Sequence, residues 1–134
     1  VYLGSTGSFT WQGNVHVIWR DPDPLNSFDY NKKSFGKDQN RDSYIGYSVL
    51  EERKLLSRND HTVVTGAPRD KSRGSVLFGK KSENSEFEVV QTIPGEQVGS
   101  YFGNSLAVLD LNNDDWNDLI VGAPFYFDRM KDHG

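Results

Sequence analysis

The chain repeats itself, and that constrains its fold more than any other feature. Tyr44-Ile-Gly46-Tyr47-Ser48-Val49 returns 57 residues later as Tyr101-Phe-Gly103-Asn104-Ser105-Leu106. Val64-Thr65-Gly66-Ala67-Pro68 returns 56 residues later as Ile120-Val121-Gly122-Ala123-Pro124. A degenerate third copy opens the sequence. There Val1-Tyr-Leu3-Gly4-Ser5-Thr6-Gly7 stands where a Gly-Ala-Pro-Gly segment is expected, and Gly13-Asn-Val15-His-Val17-Ile-Trp19 parallels Gly74-Ser-Val76-Leu-Phe78. The elements keep one order in every copy. A period of about 60 residues holding about four short strands is the size of one β-propeller blade. Two unrelated hairpins made of common residues would not share both order and spacing.

The spacing predicts strands at Ile45–Leu50, Thr62–Thr65, Ser75–Gly79 and Phe87–Thr92 in the complete copy, then at Ser105–Leu109 and Leu119–Val121. The alternation in Val15-His-Val17-Ile-Trp19 fits a half-buried strand. Pro68 and Pro124 are expected to end strands, because proline offers no N–H to a ladder. Gly46 and Gly103 are expected to permit close backbone approach or a bulge. With hydrophobic residues at 35%, 13 glycines and 5 prolines, composition also favours a loop-rich all-β protein over a helical bundle. Residues 21–43 are rich in Pro, Asn, Asp and Lys without any period. They read as a long inter-blade loop, tacked down by Phe28, Tyr30 and Phe35; loops of that length in compact domains are commonly functional. The expected division is 1–20 as the end of one blade, 21–43 as the loop, 44–98 as a full blade and 99–134 as the start of another.

One bend carries a distinct chemistry. Asp110-Leu-Asn112-Asn-Asp114-Asp-Trp116-Asn-Asp118 places oxygen-bearing side chains at its first, third, fifth and ninth positions and packs four carboxylates into nine residues. Such carboxylates repel one another unless a cation sits among them, and calcium takes six to eight oxygens. Asp110, Asn112, Asp114 and Asp118 are the candidate side-chain ligands of Ca2+, and Trp116 would add its backbone carbonyl. An EF-hand does not fit: it needs a glycine at position six and a glutamate at position twelve, where this chain has Asp115 and Val121. The flanking apolar runs instead make this a strand–loop–strand site. The plain alternative is a solvated acidic turn, since Asp and Asn are ordinary turn residues. The equivalent stretch of the preceding copy, Glu51 to Asn59, has basic residues where ligands would stand.

Several classes of function are excluded. A net charge of −4 without a basic stripe argues against nucleic-acid binding. No run of eighteen apolar residues is present to span a membrane within the chain. Without cysteine there is no disulfide or thiolate chemistry in these residues. His16, His61 and His133 are scattered, and no Gly-x-Ser-x-Gly, phosphate loop or paired zinc ligands occur, so the chain reads as no enzyme.

The Phe-Gly and Gly-Ala-Pro pattern resembles the FG-GAP repeats of integrin α subunits. The resemblance is carried by Ser43 to Val49, Val64 to Arg69, Tyr101 to Gly103, and Asp110 to Pro124. Phe125-Tyr-Phe-Asp128-Arg129 looks most like the laminin-binding subgroup. The resemblance implies part of a seven-bladed β-propeller with fewer than three blades present, from late in the third to within the fifth. It implies structural calcium in the fifth blade and none in the fourth. It further implies an aromatic cage that grips a basic side chain of a β subunit by cation–π attraction. The matching positions are Tyr44, Tyr47, Tyr101 and Asn104, the last without a ring; packing of these tyrosines between blades is the alternative. The function implied is part of the extracellular head of a cell–matrix adhesion receptor. It would sit at the cell surface and bind a matrix protein such as a laminin, with its membrane anchor outside this stretch. The alternatives are the FG-GAP propeller of a secreted enzyme, such as a glycosylphosphatidylinositol-specific phospholipase D, and a lectin-like propeller.

Overall fold

The computed structural model describes residues 1–17, 41–81, 87–128 and 130. Most of the inter-blade loop, with Phe28, Tyr30 and Phe35, lies outside them. Three antiparallel sheets follow one another along the chain. The first pairs β1 (Tyr2–Ser5) with β2 (Asn14–Val17). The second is a four-stranded meander of β3 (Ser48–Glu52), β4 (Thr62–Ala67), β5 (Ser75–Lys81) and β6 (Phe87–Pro94), each strand paired with the next. The third pairs β7 (Ser105–Leu109) with β8 (Asp118–Gly122). Among the described residues the architecture is nearly all strand, with one complete four-stranded blade between two partial ones.

The core lies between sheets, not inside any one of them. β4 is buried along its whole length, as expected of a strand covered on both faces. Successive side chains of a strand point to opposite faces. Val63 and Ala67 of β4 and Leu77 of β5 join Val15 and Ile45 in one cluster, with Tyr2 and Val17 of the first sheet against it. Val64, Val76 and Phe78 face the other way and meet Phe102 and, from the third sheet, Leu106, Leu119 and Val121. Each fully buried Val, Leu or Ile contributes about 1.5–3 kcal/mol. The two clusters therefore anchor the first and third sheets to the second; each would be marginal alone, since an isolated two-stranded hairpin is barely stable in water.

Glycine sets how closely the sheets approach. A Cβ on Gly66 would stand 1.9 Å from the Gly103 carbonyl oxygen, and one on Gly4 would stand 1.9 Å from that of Gly46. Gly4 and Gly66 occupy matching places in successive copies, as do Gly46 and Gly103. The repeat is therefore also a repeat of the sheet-to-sheet contact. Two further pairs reproduce it. Gly13 bridges Ile45 and Gly74 bridges Phe102, both in parallel sense. The Ser43 hydroxyl donates to the Gln12 carbonyl at 2.9 Å, as the Ser100 hydroxyl does to that of Arg73 at 3.2 Å.

Two expectations need adjustment. The first strand of the full copy begins at Ser48, not Ile45. Ile45 and Gly46 are used in the docking turn, where Gly46 has φ of +88° and its N–H donates to the Thr65 hydroxyl. The alternation around Val15 does not produce a half-buried strand, because Asn14, Val15 and His16 are all buried. Burial also lowers the His16 pKa below the usual imidazole value. The strand ahead of Pro68 ends at Ala67, as the missing N–H requires.

Candidate functional site

The acidic bend connects β7 to β8 and is closed by its own side chains. The two Asp110 oxygens accept from the amides of Asp114 and Asp115, at 3.1 and 3.0 Å. Asn112 Oδ1 accepts from the Asp114 amide at 3.1 Å, and Asn112 Nδ2 donates to Asp114 Oδ2 at 2.8 Å. Asp114 Oδ1 accepts from the Trp116 amide, and Asp118 Oδ2 reaches back to the Leu111 amide, both at 2.9 Å. Asn113 and Asp115 take φ of 60° and 70°. Asp and Asn enter this left-handed region more readily than other non-glycine residues. Asp115 thereby makes the sharp turn that an EF-hand gives to glycine.

The structure thus gathers Asp110, Asn112, Asp114 and Asp118 into one knot of bonds, which Trp116 joins through its N–H. As placed, these oxygens serve the loop's amides, and among the described residues no three His, Cys, Asp or Glu side chains converge as a metal cluster. The donor set still suits a hard cation. It is all oxygen, it comes from one short loop, and a carboxylate keeps acceptor capacity after one N–H bond. The fit is one of donor chemistry and chain path, with the carboxylates shared between amides and ion.

A second turn, between β3 and β4, lies against this loop. The Lys54 ammonium meets Asp115 Oδ1. This hydrogen bond, followed by the lysine's charge, holds the Asp115 carboxyl below its ordinary range. The Arg58 guanidinium sits 5.3 Å from the Trp116 ring centroid. Asn117 donates its amide to the Lys54 carbonyl at 2.9 Å and its side-chain Nδ2 to the Arg53 carbonyl at 2.8 Å.

The tyrosines form a row along the turns where successive sheets meet, outside the strands themselves. Tyr47 and Tyr101 meet edge to face at 5.6 Å, Tyr101 meets Phe125 at 5.8 Å, and Tyr44 lies 5.8 Å from Trp11. Burial, then the neighbouring Tyr47 and Tyr44, raises the Tyr101 pKa, and Arg69 opposes the rise. Asn104 engages here through its backbone, donating to the Tyr101 carbonyl at 3.1 Å. The Tyr44 face is already occupied. Arg69 lies 4.8 Å from its ring centroid and donates to its hydroxyl at 2.9 Å. Beside it opens a cavity of about 490 Å³ lined in part by Arg41, Asp42, Arg69, Lys71 and Tyr101.

The motifs in the sequence do not mark Trp11, Arg69, Phe125, Lys54 or Arg58 as site residues. A signal for Trp11 exists in the sequence: it precedes Gly13 by two residues, as Tyr44 precedes Gly46 and Tyr101 precedes Gly103. All three aromatics share φ near 60°. Phe125 is set in place by its backbone N–H, which donates to the Ser100 carbonyl at 3.1 Å. The backbone of Phe127 is clamped by both ends of the Gln97 amide at 2.8 Å each.

Comparison with known proteins agrees with this architecture. The FG-GAP repeat family matches residues 102–133. Integrin alpha-3 of Mus musculus is 41% identical over 135 residues, covering 100% of this chain and 12% of the relative. Integrin alpha-6 of Gallus gallus is 34% identical over 146 residues, covering 100% of this chain and 14% of the relative. Integrin alpha-7 of Rattus norvegicus is 36% identical over 139 residues, covering 98% and 12%. The chain therefore spans between one-ninth and one-seventh of the length of the curated relatives it matches.

Proposed function

Since the chain belongs to the FG-GAP sequences of integrin α type, we propose that it forms part of the extracellular head of a cell–matrix adhesion receptor. Its partners are a β subunit and a matrix protein of laminin type, and its work is binding rather than catalysis. The observation that carries this reading is similarity to integrin alpha chains along the whole of the sequence, not over one repeat alone. The matches to alpha-3, alpha-6 and alpha-7 chains fit the subgroup suggested by the Phe125 to Arg129 tail.

In this reading residues 44–98 are a blade without calcium and 99–134 belong to a blade with it. Asp110, Asn112, Asp114, Asp118 and the Trp116 carbonyl hold Ca2+. When bound, the ion neutralises the crowded carboxylates and crosslinks the bend between β7 and β8. Extracellular modules bind calcium with Kd of about 10⁻⁴–10⁻³ M. At ten times Kd, the folded state gains ~1.4 kcal/mol.

Tyr44, Tyr47, Tyr101 and Asn104 supply the surface for the β subunit. With Arg69 seated on Tyr44, the rings open to an incoming cation are Tyr47 and Tyr101, with Phe125 beside them. The test is co-expression of the full-length protein with β subunits and recovery of the heterodimer. Tyr101→Ala is expected to lower the yield, and an unchanged yield removes the aromatic row from the pairing surface. Thermal melting in calcium and in chelator tests the ion; coincident curves for the unmutated protein exclude it.

A further inference from the structure

Contacts between the acidic loop and the turn beside it reach beyond packing. The turn at 53–58 belongs to the sheet of β3 to β6, the loop at 110–118 to that of β7 and β8. They occupy the same place in successive copies and carry opposite charge. Four separate contacts join them: Lys54 to Asp115, Arg58 to Trp116, and the two bonds from Asn117 to the carbonyls of Lys54 and Arg53. Every loop residue involved is adjacent to a candidate ligand or is one. Asp115 follows Asp114, Trp116 is the carbonyl candidate, and Asn117 precedes Asp118.

We propose that the basic turn 53–58 sets the cation affinity of the acidic loop 110–118. Lys54, with Arg58, is a tethered positive charge that offsets the loop's four carboxylates and weakens their hold on a divalent ion. The Asn117 bonds keep the loop in its closed path and tie its occupancy to the neighbouring sheet. A copy that has lost its own ligands thereby tunes the copy that kept them. The inference rests on the calcium reading above and deepens it. Lys54 is a positioning and affinity-setting residue; it touches no ligand oxygen of the proposed set.

The experiment is calcium titration of the full-length protein, read by hydrogen exchange of the amides from 111 to 118. A unit charge within about one Debye length of a divalent ion changes its binding by roughly twofold to sixfold. Lys54→Met is expected to lower the calcium midpoint by that factor, and Lys54→Arg to restore it. In chelator, Lys54→Met with Arg58→Gln is expected to speed exchange at Trp116 and Asn117 by roughly twofold to fivefold, the range for exposed ion pairs and cation–π contacts. An unshifted midpoint in Lys54→Met, or a shift of equal size in Lys54→Arg, overturns the affinity-setting role. Absence of any calcium transition in the unmutated protein overturns the calcium reading instead. The exchange in chelator then still decides the clasp, and unchanged rates there overturn it.

Discussion

The turn at 53–58 and the loop at 110–118 leave equivalent strands at equivalent places, yet they are held by different physics. The first is anchored by burial: Leu55 and Leu56 pack against Val64, Val76 and Phe78. The second leaves residues 111–115 exposed and folds through side-chain bonds to its own amides. The repeat therefore conserves geometry but not the source of stability. A turn that reaches the core needs no ion; a turn that folds carboxylates on itself is the one that the proposed ion would stabilise.

Breaking the frame common to both turns should have the largest effect. Gly66→Ala drives a Cβ into the Gly103 carbonyl. Backbone has to move, and the loss should be about 3 kcal/mol or more, by analogy with overpacked cores. Denaturant melting in calcium and in chelator should show the same drop. Leu56→Ala comes next. For a partly buried leucine the cost should be about 2 kcal/mol, at the low end for such truncations, and equal in calcium and chelator. A calcium-dependent cost would mean that the two turns do not differ as argued.

Asp114→Ala attacks the other mechanism. It should abolish the calcium increment of ~1.4 kcal/mol while moving the melting point in chelator far less. A variant that keeps the increment removes Asp114 from the ion's ligands. Tyr2→Phe is the smallest change. The Tyr2 hydroxyl donates to Glu51 Oε1 at 3.1 Å, and burial, then Glu51, pushes its pKa up to about 12. A raised pKa means that folding favours the protonated phenol. Its contribution is complete below the unfolded value of about 10 and is lost as pH rises through about 12. Alkaline melting should therefore fall more steeply over that window in the unmutated protein than in Tyr2→Phe, a partly exposed group making the difference small.

Much of the fold was legible because each strand is a local pattern bounded by local signals. Thr62 to Ala67 could be read from its β-branched run and from Pro68. The docking turns were less legible. Tyr44, Tyr101 and Trp11 adopt a left-handed backbone that no propensity favours. Contacts with the adjoining copy hold them there, as where the Tyr44 N–H donates to the Trp11 carbonyl at 3.2 Å. In the acidic loop the grouping of Asp110, Asn112, Asp114 and Asp118 was legible from spacing alone. That their oxygens would be engaged by Leu111, Asp114, Asp115 and Trp116 amides was not.

By itself the sequence determined the repeat, the strands within each copy and the oxygen-rich bend, each of them read from short runs of neighbouring residues. Only the tertiary structure decided that Arg69 takes the face of Tyr44, that Phe125 joins the tyrosine row, and that Lys54 stands against Asp115, 61 residues away. Those pairings depend on how closely glycine lets one sheet approach the next. That distance is fixed by packing across sheets, and no local pattern encodes it.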